Sequence, residues 1–258
     1  MAGRVALVTG GGRGIGRAIA LALASEGFAI AVGARTLAQL EDTADGARRA
    51  GAKALAVALD AADAASVAAA VERAQRELGP VDVVVNNAGI AESAPFARTD
   101  PPMWERHFDV NVRGPYLVTR AVLPGMLERR WGRVVNVASL AGLVGSPYVT
   151  AYTASKHALV GFTRALATEL GGSGVTVNAV CPGFVATELV WNGARNVAAR
   201  TGKTFEAAVQ AMADLNPGRR LLSPDEVAAA AVGLVRGDLN GEIVVLDGTA
   251  PAPTRSER

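Results

Sequence analysis

The residues Val5-Ala6-Leu7-Val8-Thr9-Gly10-Gly11-Gly12-Arg13-Gly14-Ile15-Gly16 join an uninterrupted apolar run to a glycine loop, and a stretch of helical period opens at the last glycines. A short continuous apolar run followed at once by turn residues reads as a strand buried on both faces. The loop after it gathers backbone N–H groups at a helix N-terminus, where a pyrophosphate fits, and only glycine lets a phosphate approach that closely. Two familiar phosphate patterns fail here. A P-loop needs Lys and Ser or Thr after its last glycine, whereas Gly16 is followed by Arg17-Ala18. The pattern G-x-G-x-x-G has no register between Gly10 and Gly16, and T-G-x-x-x-G-x-G is what fits. Taken alone, the loop is also compatible with a tight strand-to-helix turn that binds nothing.

Outward from this loop, strand-length apolar runs alternate with helical stretches. The strand candidates are Arg4–Val8, Phe28–Gly33, Lys53–Leu59, Val81–Asn86, Arg133–Ala138, Thr176–Val180 and Ile243–Leu246. Between them lie Gly14–Ser25, Leu37–Ala50, Ala64–Leu78, a long segment around Trp104–Arg130, Tyr152–Leu170 and Pro224–Val235. Such alternation predicts an α/β fold, a parallel sheet with helices on both faces. Pro124 is expected to kink or end the long middle helix. Residues 1–248 read as one domain. Within it, 187–220 is too long for an ordinary connection and reads as a lid, and the Pro-rich 249–258 reads as a flexible tail.

Composition narrows the function classes. The chain has 258 residues, half of them hydrophobic, with 26 basic and 24 acidic side chains. A mean hydropathy of +0.24 fits a folded chain with a sizeable core. A net charge of +2 without a basic block gives no case for nucleic acid. One cysteine, Cys181, excludes an internal disulfide and fits a reducing compartment, and two histidines, His107 and His157, cannot build a His-rich metal site. No apolar run is long enough to cross a bilayer, and Val5–Val8 is too short for a secretory leader. The expectation is a cytoplasmic protein without a metal.

Charge also bears on which dinucleotide the loop would take. A ribose 2′-hydroxyl is usually held by an acid about 20 residues on, at the end of the second strand, and a 2′-phosphate wants a cation there. The second strand ends Gly33-Ala34-Arg35-Thr36, and the next acid is Glu41. With Arg13 in the loop, Arg35 favours NADP(H) over NAD(H). Further along, Tyr152 and Lys156 stand four apart on a helical stretch and so share a face. A cation there is expected to favour the phenolate and bring the tyrosine towards its working range. The chain has only three lysines, Lys53, Lys156 and Lys203, against 23 arginines, which makes Lys156 less easily filler.

With these residues in hand, the chain resembles the short-chain dehydrogenases/reductases in their branch of about 250 residues. The resemblance runs from Val5 to about Gly248. Its motifs, in order, are the Thr9–Gly16 loop, Asn86-Asn87-Ala88-Gly89, Asn111, Ser139, Tyr152-x-x-x-Lys156, and Pro182-Gly183 with Thr187. It implies a single-domain, Rossmann-like doubly wound sheet and an NAD(P)-dependent oxidoreductase. It further implies Tyr152 as acid in carbonyl reduction and base in alcohol oxidation, and Ser139 as the group orienting the substrate oxygen. Lys156 would bind the nicotinamide ribose and lower the tyrosine pKa, and Asn111 would hold a water linking Lys156 to bulk. Cofactor contacts are implied for Gly10, Gly12, Arg13, Gly14, Ile15 and Gly16, for Arg35, for Asp60 and Ala61 at the adenine, and for Asn87, Ala88 and Gly89. Tyr152, Lys156, Pro182, Gly183, Val185 and Thr187 complete that set. His157, Cys181, Trp104 and Trp131 are expected to be structural.

The substrate is less legible. Leu189, Val190, Trp191, Phe205 and Met212 make the lid apolar, which suits a hydrophobic ketone or secondary alcohol. The stretch Cys181–Thr187 resembles that of reductases of 3-oxoacyl thioesters and aromatic polyketides. Ala141 and Val149 stand where 3-hydroxybutyrate dehydrogenases place polar residues, which disfavours a small hydroxy acid. An NAD-dependent alcohol or 3-hydroxyacyl dehydrogenase is the competing reading, and a non-catalytic dinucleotide-binding regulator the third. Asn240-Gly241 and Asp247-Gly248-Thr249 depart from the family's usual Thr-Gly and Asp-Gly-Gly. That puts its C-terminal tetramer contact in doubt and leaves the helices Val110–Arg130 and Tyr152–Leu170 to form a homodimer or homotetramer.

Overall fold

In a computed structural model, which describes residues 3–249, β1 (Val5–Thr9) is followed by α1 (Gly14–Ser25), β2 (Ala29–Ala34), α2 (Leu37–Arg49), β3 (Ala54–Ala58), α3 (Ala64–Leu78) and β4 (Val81–Asn86). The second half runs α4 (Pro101–Phe108), α5 (Gly114–Glu128), β5 (Gly132–Val137), α6 (Thr150–Glu169), β6 (Val175–Pro182), α7 (Glu188–Thr201), α8 (Phe205–Ala213), α9 (Pro224–Arg236) and β7 (Ile243–Leu246). All seven expected strands form, in one sheet ordered β3-β2-β1-β4-β5-β6-β7. Every pairing is parallel.

The two-residue alternation of a strand divides the core. Ala6 and Val8 of β1 pack with Ile19 and Leu23 of α1, Leu40 of α2 and Val227 of α9. Val5 and Leu7 face the other way, towards Val67 and Val71 of α3, Val118 of α5 and Ala167 of α6. Because both faces are covered, the strands carry near-continuous aliphatic runs, and that is why their positions were readable. Strand order reverses between β1 and β4. In such sheets a crevice opens there, beyond the strands' carboxyl ends.

The long middle segment differs from its sequence reading in two ways. Pro124 does not end its helix, since α5 continues to Glu128. The proline and Arg120, whose carbonyl loses its partner, are both exposed, so that carbonyl is open to solvent, while Val122 and Met126 are buried on the other side. The irregularity sits earlier, in a π-helical turn at Asp109–Arg113 around buried Asn111. Buried polar groups tie the elements beneath the crevice. Asn86 Nδ2 donates to Thr119 Oγ1 at 3.1 Å and to Asn136 Oδ1 at 2.8 Å. Asn136 Nδ2 donates in turn to Thr163 Oγ1 of α6 at 2.9 Å.

At the opposite end of the sheet, Trp131 lies between the guanidinium groups of Arg4 and Arg133, 3.5 and 4.5 Å from its ring centre. That fits the structural part expected of it. Residues 187–220 hold the helices α7 and α8, which pack through Trp191 and Phe205. β7 is a partly exposed edge strand. Of the tail expected at 249–258, all but Thr249 lies outside the described residues.

Candidate active site

Four loops meet at the carboxyl edge. Thr9, the last residue of β1, accepts hydrogen bonds at Oγ1 from the N–H groups of Asn87 and Ala88, both 3.0 Å. Asn87 Nδ2 returns bonds to Thr9 O at 2.9 Å and Gly10 O at 3.2 Å. The Asn87 side chain therefore works inside the protein, fastening the loops after β1 and β4 together. Gly10 and Gly14 have φ of 64° and 53°, the left-handed region where a Cβ is strained. A Cβ on Gly16 would run into Gly10 O and Asn87 Nδ2, so α1 can start this close to β1 only through glycine.

The N-terminus of α1 is electrostatically open. Arg13 occupies the N-cap without a side-chain cap, and the first turn has no acid. The unspent N–H groups and the helix dipole suit an anion. Arg13 and Arg35 are exposed, and neither side chain has an ion-pair or hydrogen-bond partner among the described residues. Gly12 and Ile15 lie in the same loop. Asp60 and Ala61 follow β3, where Asp60 Oδ1 accepts from Ala62 N–H at 3.0 Å and buried Ala61 packs against Gly114.

Across the crevice, Tyr152 and Lys156 share a face of α6, and Ser139 caps a short 3₁₀ turn after β5, its Oγ accepting from Ala141 N–H at 3.1 Å. The Ser139 side chain lies close enough to the Tyr152 phenol to favour its charged form. Lys156 is buried and donates from Nζ to Val137 O at 2.8 Å, with the Tyr152 ring centre 5.8 Å away. Gly89 brings the loop after β4 between Asn111 and Lys156. A Cβ there would stand 3.2 Å from Asn111 Oδ1 and 3.6 Å from Lys156 Nζ.

The Asn111 amide is fully engaged. Its Oδ1 accepts from Ile90 N–H at 2.9 Å, and its Nδ2 donates to Ile90 O and Ser155 Oγ, both at 3.0 Å. Beyond β6, Gly183 N–H bonds Leu246 O at 2.8 Å, Val185 bridges to Leu222, and Thr187 caps α7 beside Gly14. The expected site residues thus lie at the carboxyl ends of the strands, in the loops that follow them, or on α1, the π turn and α6 beside those loops.

Burial pushes the Tyr152 phenol above its ordinary pKa; the neighbouring Ser139 side chain opposes this, and nearby Cys181 adds to it. The Lys156 ammonium is turned to Val137 O. Tyr152 is half-buried and borders the crevice. Lys156 itself is lowered to about 8 by burial. Cys181, buried at the end of β6, has its thiol pushed up by burial, as suits an inert core residue, although it also touches the Ser139 backbone. His157 is exposed and bonds Thr153 O.

Sequence reasoning passed over two buried residues. Asn216, after α8, accepts at Oδ1 from Phe184 N–H (2.8 Å) and donates from Nδ2 to Phe184 O (3.0 Å), pinning the loop after β6. His107 lies one turn before Asn111 with its ring edge towards Tyr152. Its i, i+4 spacing from Asn111 was the only sequence signal available.

The family model for short chain dehydrogenases matches residues 4–198. The chain is a short-chain dehydrogenase/reductase. Among curated relatives of this family, the chain is 39% identical over 250 residues to a 3-oxoacyl-acyl-carrier-protein reductase of Pseudomonas aeruginosa, covering 96% of this chain and 95% of that one. It is 38% identical over 238 residues to a D-beta-hydroxybutyrate dehydrogenase of Cupriavidus necator, covering 90% of each. Among solved structures, a variant of actinorhodin polyketide ketoreductase crystallised with NADPH superposes with a TM-score of 0.91 at 36% identity, covering 96% of this chain and 98% of that one. A short-chain dehydrogenase/reductase is an oxidoreductase that uses a nicotinamide dinucleotide. No helix of the described residues is long and apolar enough to cross a membrane.

Proposed function

We propose that this short-chain dehydrogenase/reductase is an NADPH-dependent carbonyl reductase acting on a hydrophobic ketone, of the class of 3-oxoacyl thioesters or polyketide-like ketones. The observation that carries the reading is the Tyr152–Ser139 hydroxyl pair beside buried Lys156, set across the crevice from a loop with two unpartnered arginines. The cradle suits the cofactor. The uncapped start of α1 takes the pyrophosphate, with Gly10, Gly12, Gly14 and Gly16 placing no side chain at the loop and Ile15 in the first turn of the helix. Arg13 and Arg35 take the 2′-phosphate, and an NAD(H)-linked alcohol dehydrogenase is the alternative if they do not. Asp60 and Ala61 border the adenine, Asn87, Ala88 and Gly89 the ribose, and Pro182, Gly183, Val185 and Thr187 the carboxamide.

When bound, the cofactor supplies the hydride. Everything else in the reduction falls to side chains. Ser139 orients the carbonyl oxygen, and Tyr152 gives up the proton that turns it into an alcohol. An elevated phenol pKa keeps that proton in place until an oxygen of rising basicity takes it. Lys156, charged below about pH 8, holds the nicotinamide ribose and favours the phenolate that the transfer leaves behind. Because the Asn111 amide is spent on Ile90 and Ser155, proton resupply is assigned to water held by the backbone of the π turn around it.

Residues 1–248 form the catalytic unit in this reading, with 187–220 as the lid over the substrate. α5 and α6, which expose Tyr116 and Leu127, are the proposed homodimer or homotetramer surface, and the proposed location is the cytoplasm. The test is NADPH consumption with a panel of 3-oxoacyl thioesters, cyclic aromatic ketones and 3-oxobutyrate. Turnover of either of the first two classes well above 3-oxobutyrate supports the reading. Preference for 3-oxobutyrate overturns the substrate class, and no turnover on any overturns the reductase.

A further inference from the structure

His107 belongs to no motif of the proposed chemistry, yet it is fully buried and both ring nitrogens are committed. Its Nδ1 lies 2.7 Å from Met103 O, and Glu92 N–H reaches Nε2 at 3.1 Å. A carbonyl only accepts and a backbone N–H only donates, so the ring carries its proton on Nδ1 and presents the Nε2 lone pair to Glu92. A buried histidine serving the core alone needs no more than that. Two further contacts point towards the reacting groups.

The first is the ring itself. It meets the Tyr152 ring edge-on, with centroids 6.4 Å apart and planes at 71°, an arrangement aromatic pairs favour and one that resists rotation of either ring. The second is the segment it holds. Arg106 grips the Glu92 carboxylate through Nε at 3.2 Å and Nη2 at 3.0 Å. Asn111, one turn after His107, holds Ile90 by both its N–H and its carbonyl. Residues 106, 107 and 111 thus clamp Ile90–Glu92 from one stretch of chain, and His107 is the member that also touches Tyr152.

We propose that His107 is a positioning residue: its ring fixes the plane of the Tyr152 phenol, and its Nε2 fixes the Ile90–Glu92 segment beside it, so that the phenol hydroxyl stays directed at Ser139 and the reacting carbonyl. This rests on Tyr152 as the proton donor. No other side chain replaces both contacts. Leucine fills the space without an acceptor, phenylalanine keeps a ring edge only, and glutamine keeps an acceptor only.

Two readouts on the full-length protein test the proposal. In the first, His107→Leu lowers kcat about tenfold, an aromatic-contact-sized loss multiplied by misalignment, while KM for NADPH stays within about twofold. His107→Phe recovers to within about threefold of wild type and His107→Gln stays low. In the second, 3-fluorotyrosine reports the three tyrosines, Tyr116, Tyr148 and Tyr152, by fluorine NMR, with Tyr152 assigned from its loss in Tyr152→Phe. His107→Leu moves or broadens the Tyr152 signal and leaves those of Tyr116 and Tyr148 in place. If the leucine variant does not fold, the glutamine variant gives the same reading. An unmoved Tyr152 signal overturns the proposal whatever the rate does, and so does a moved signal with kcat within twofold of wild type. Absence of ketone turnover by the wild type counts against the reductase, whereas the fluorine signal decides on His107 separately.

Discussion

The two sides of the crevice are finished to different degrees. On the β1–β2 side, the start of α1 is uncapped, and Arg13 and Arg35 stand in solvent without partners. On the β5–β6 side, Lys156, Asn111, Ser155, Ser139 and His107 have their polar atoms bonded within the protein. Unspent charge at an exposed loop costs little, because water solvates it, and it leaves donors available to a charged ligand. Unspent charge in the interior is expensive, so reacting groups kept there need partners, and those partners also fix their geometry. One side is shaped to receive, the other to hold still.

Substitutions on the two sides should therefore fail differently. The largest effect belongs to the held side. Tyr152→Phe removes the proposed proton donor and should lower turnover by about 10³-fold, with NADPH binding kept within about threefold; steady-state rates and a binding titration measure the two. Next is the receiving side. Arg35→Asp exchanges a charge-assisted bond for repulsion and should weaken NADPH about 30-fold, while NADH changes less than about threefold. Equal losses would remove Arg35 from the phosphate site.

Thr9 joins the two sides. Thr9→Val leaves the Asn87 and Ala88 N–H groups without their acceptor, and chemical denaturation should show a loss of about 1–3 kcal/mol.

The smallest effect has the opposite sign. Lys156 is held near pKa 8 by burial, a penalty of about 3 kcal/mol relative to a solvated lysine. Lys156→Met lifts that penalty, leaves Val137 O without its donor, and should gain about 1–2 kcal/mol at pH 7 while losing activity. Below about pH 8 the lysine is protonated in folded and unfolded chains alike, so the penalty is full. Above it the folded chain releases its proton first, the unfolded chain binds more protons, and wild-type stability rises. The gap between wild type and variant should narrow from about pH 8 upwards, as denaturation at stepped pH would show.

What was legible in the sequence follows the same division. The strands Val81–Asn86 and Ile243–Leu246 and the helices Gly14–Ser25 and Ala64–Leu78 match their expected ends, because continuous apolar runs and flanking glycines are local signals. Tyr152 with Lys156, and the Thr9–Gly16 loop, were legible because their spacing in the chain is their geometry in space. His107 and Asn216 were not, since each acts on a segment 15 or 32 residues away, and one buried polar residue looks like any other in sequence. The direction of the Tyr152 shift was hidden too. Its largest cause is burial, which α4, α6 and the end of β6 create together and which spacing along the chain does not show. At Pro124 the helix does not end, because exposure, a property of the packed fold, decides how much a lost helix bond costs.

The most direct measurement is a titration of the purified protein with NADPH and with NADH, followed by ligand-induced thermal stabilisation. Stabilisation at much lower NADPH than NADH concentration is the expected result if the open helix end and the two unpartnered arginines receive the extra phosphate, as proposed. Equal or tighter NADH binding would contradict the assignment of Arg13 and Arg35, and binding of neither would contradict the account of the receiving side altogether.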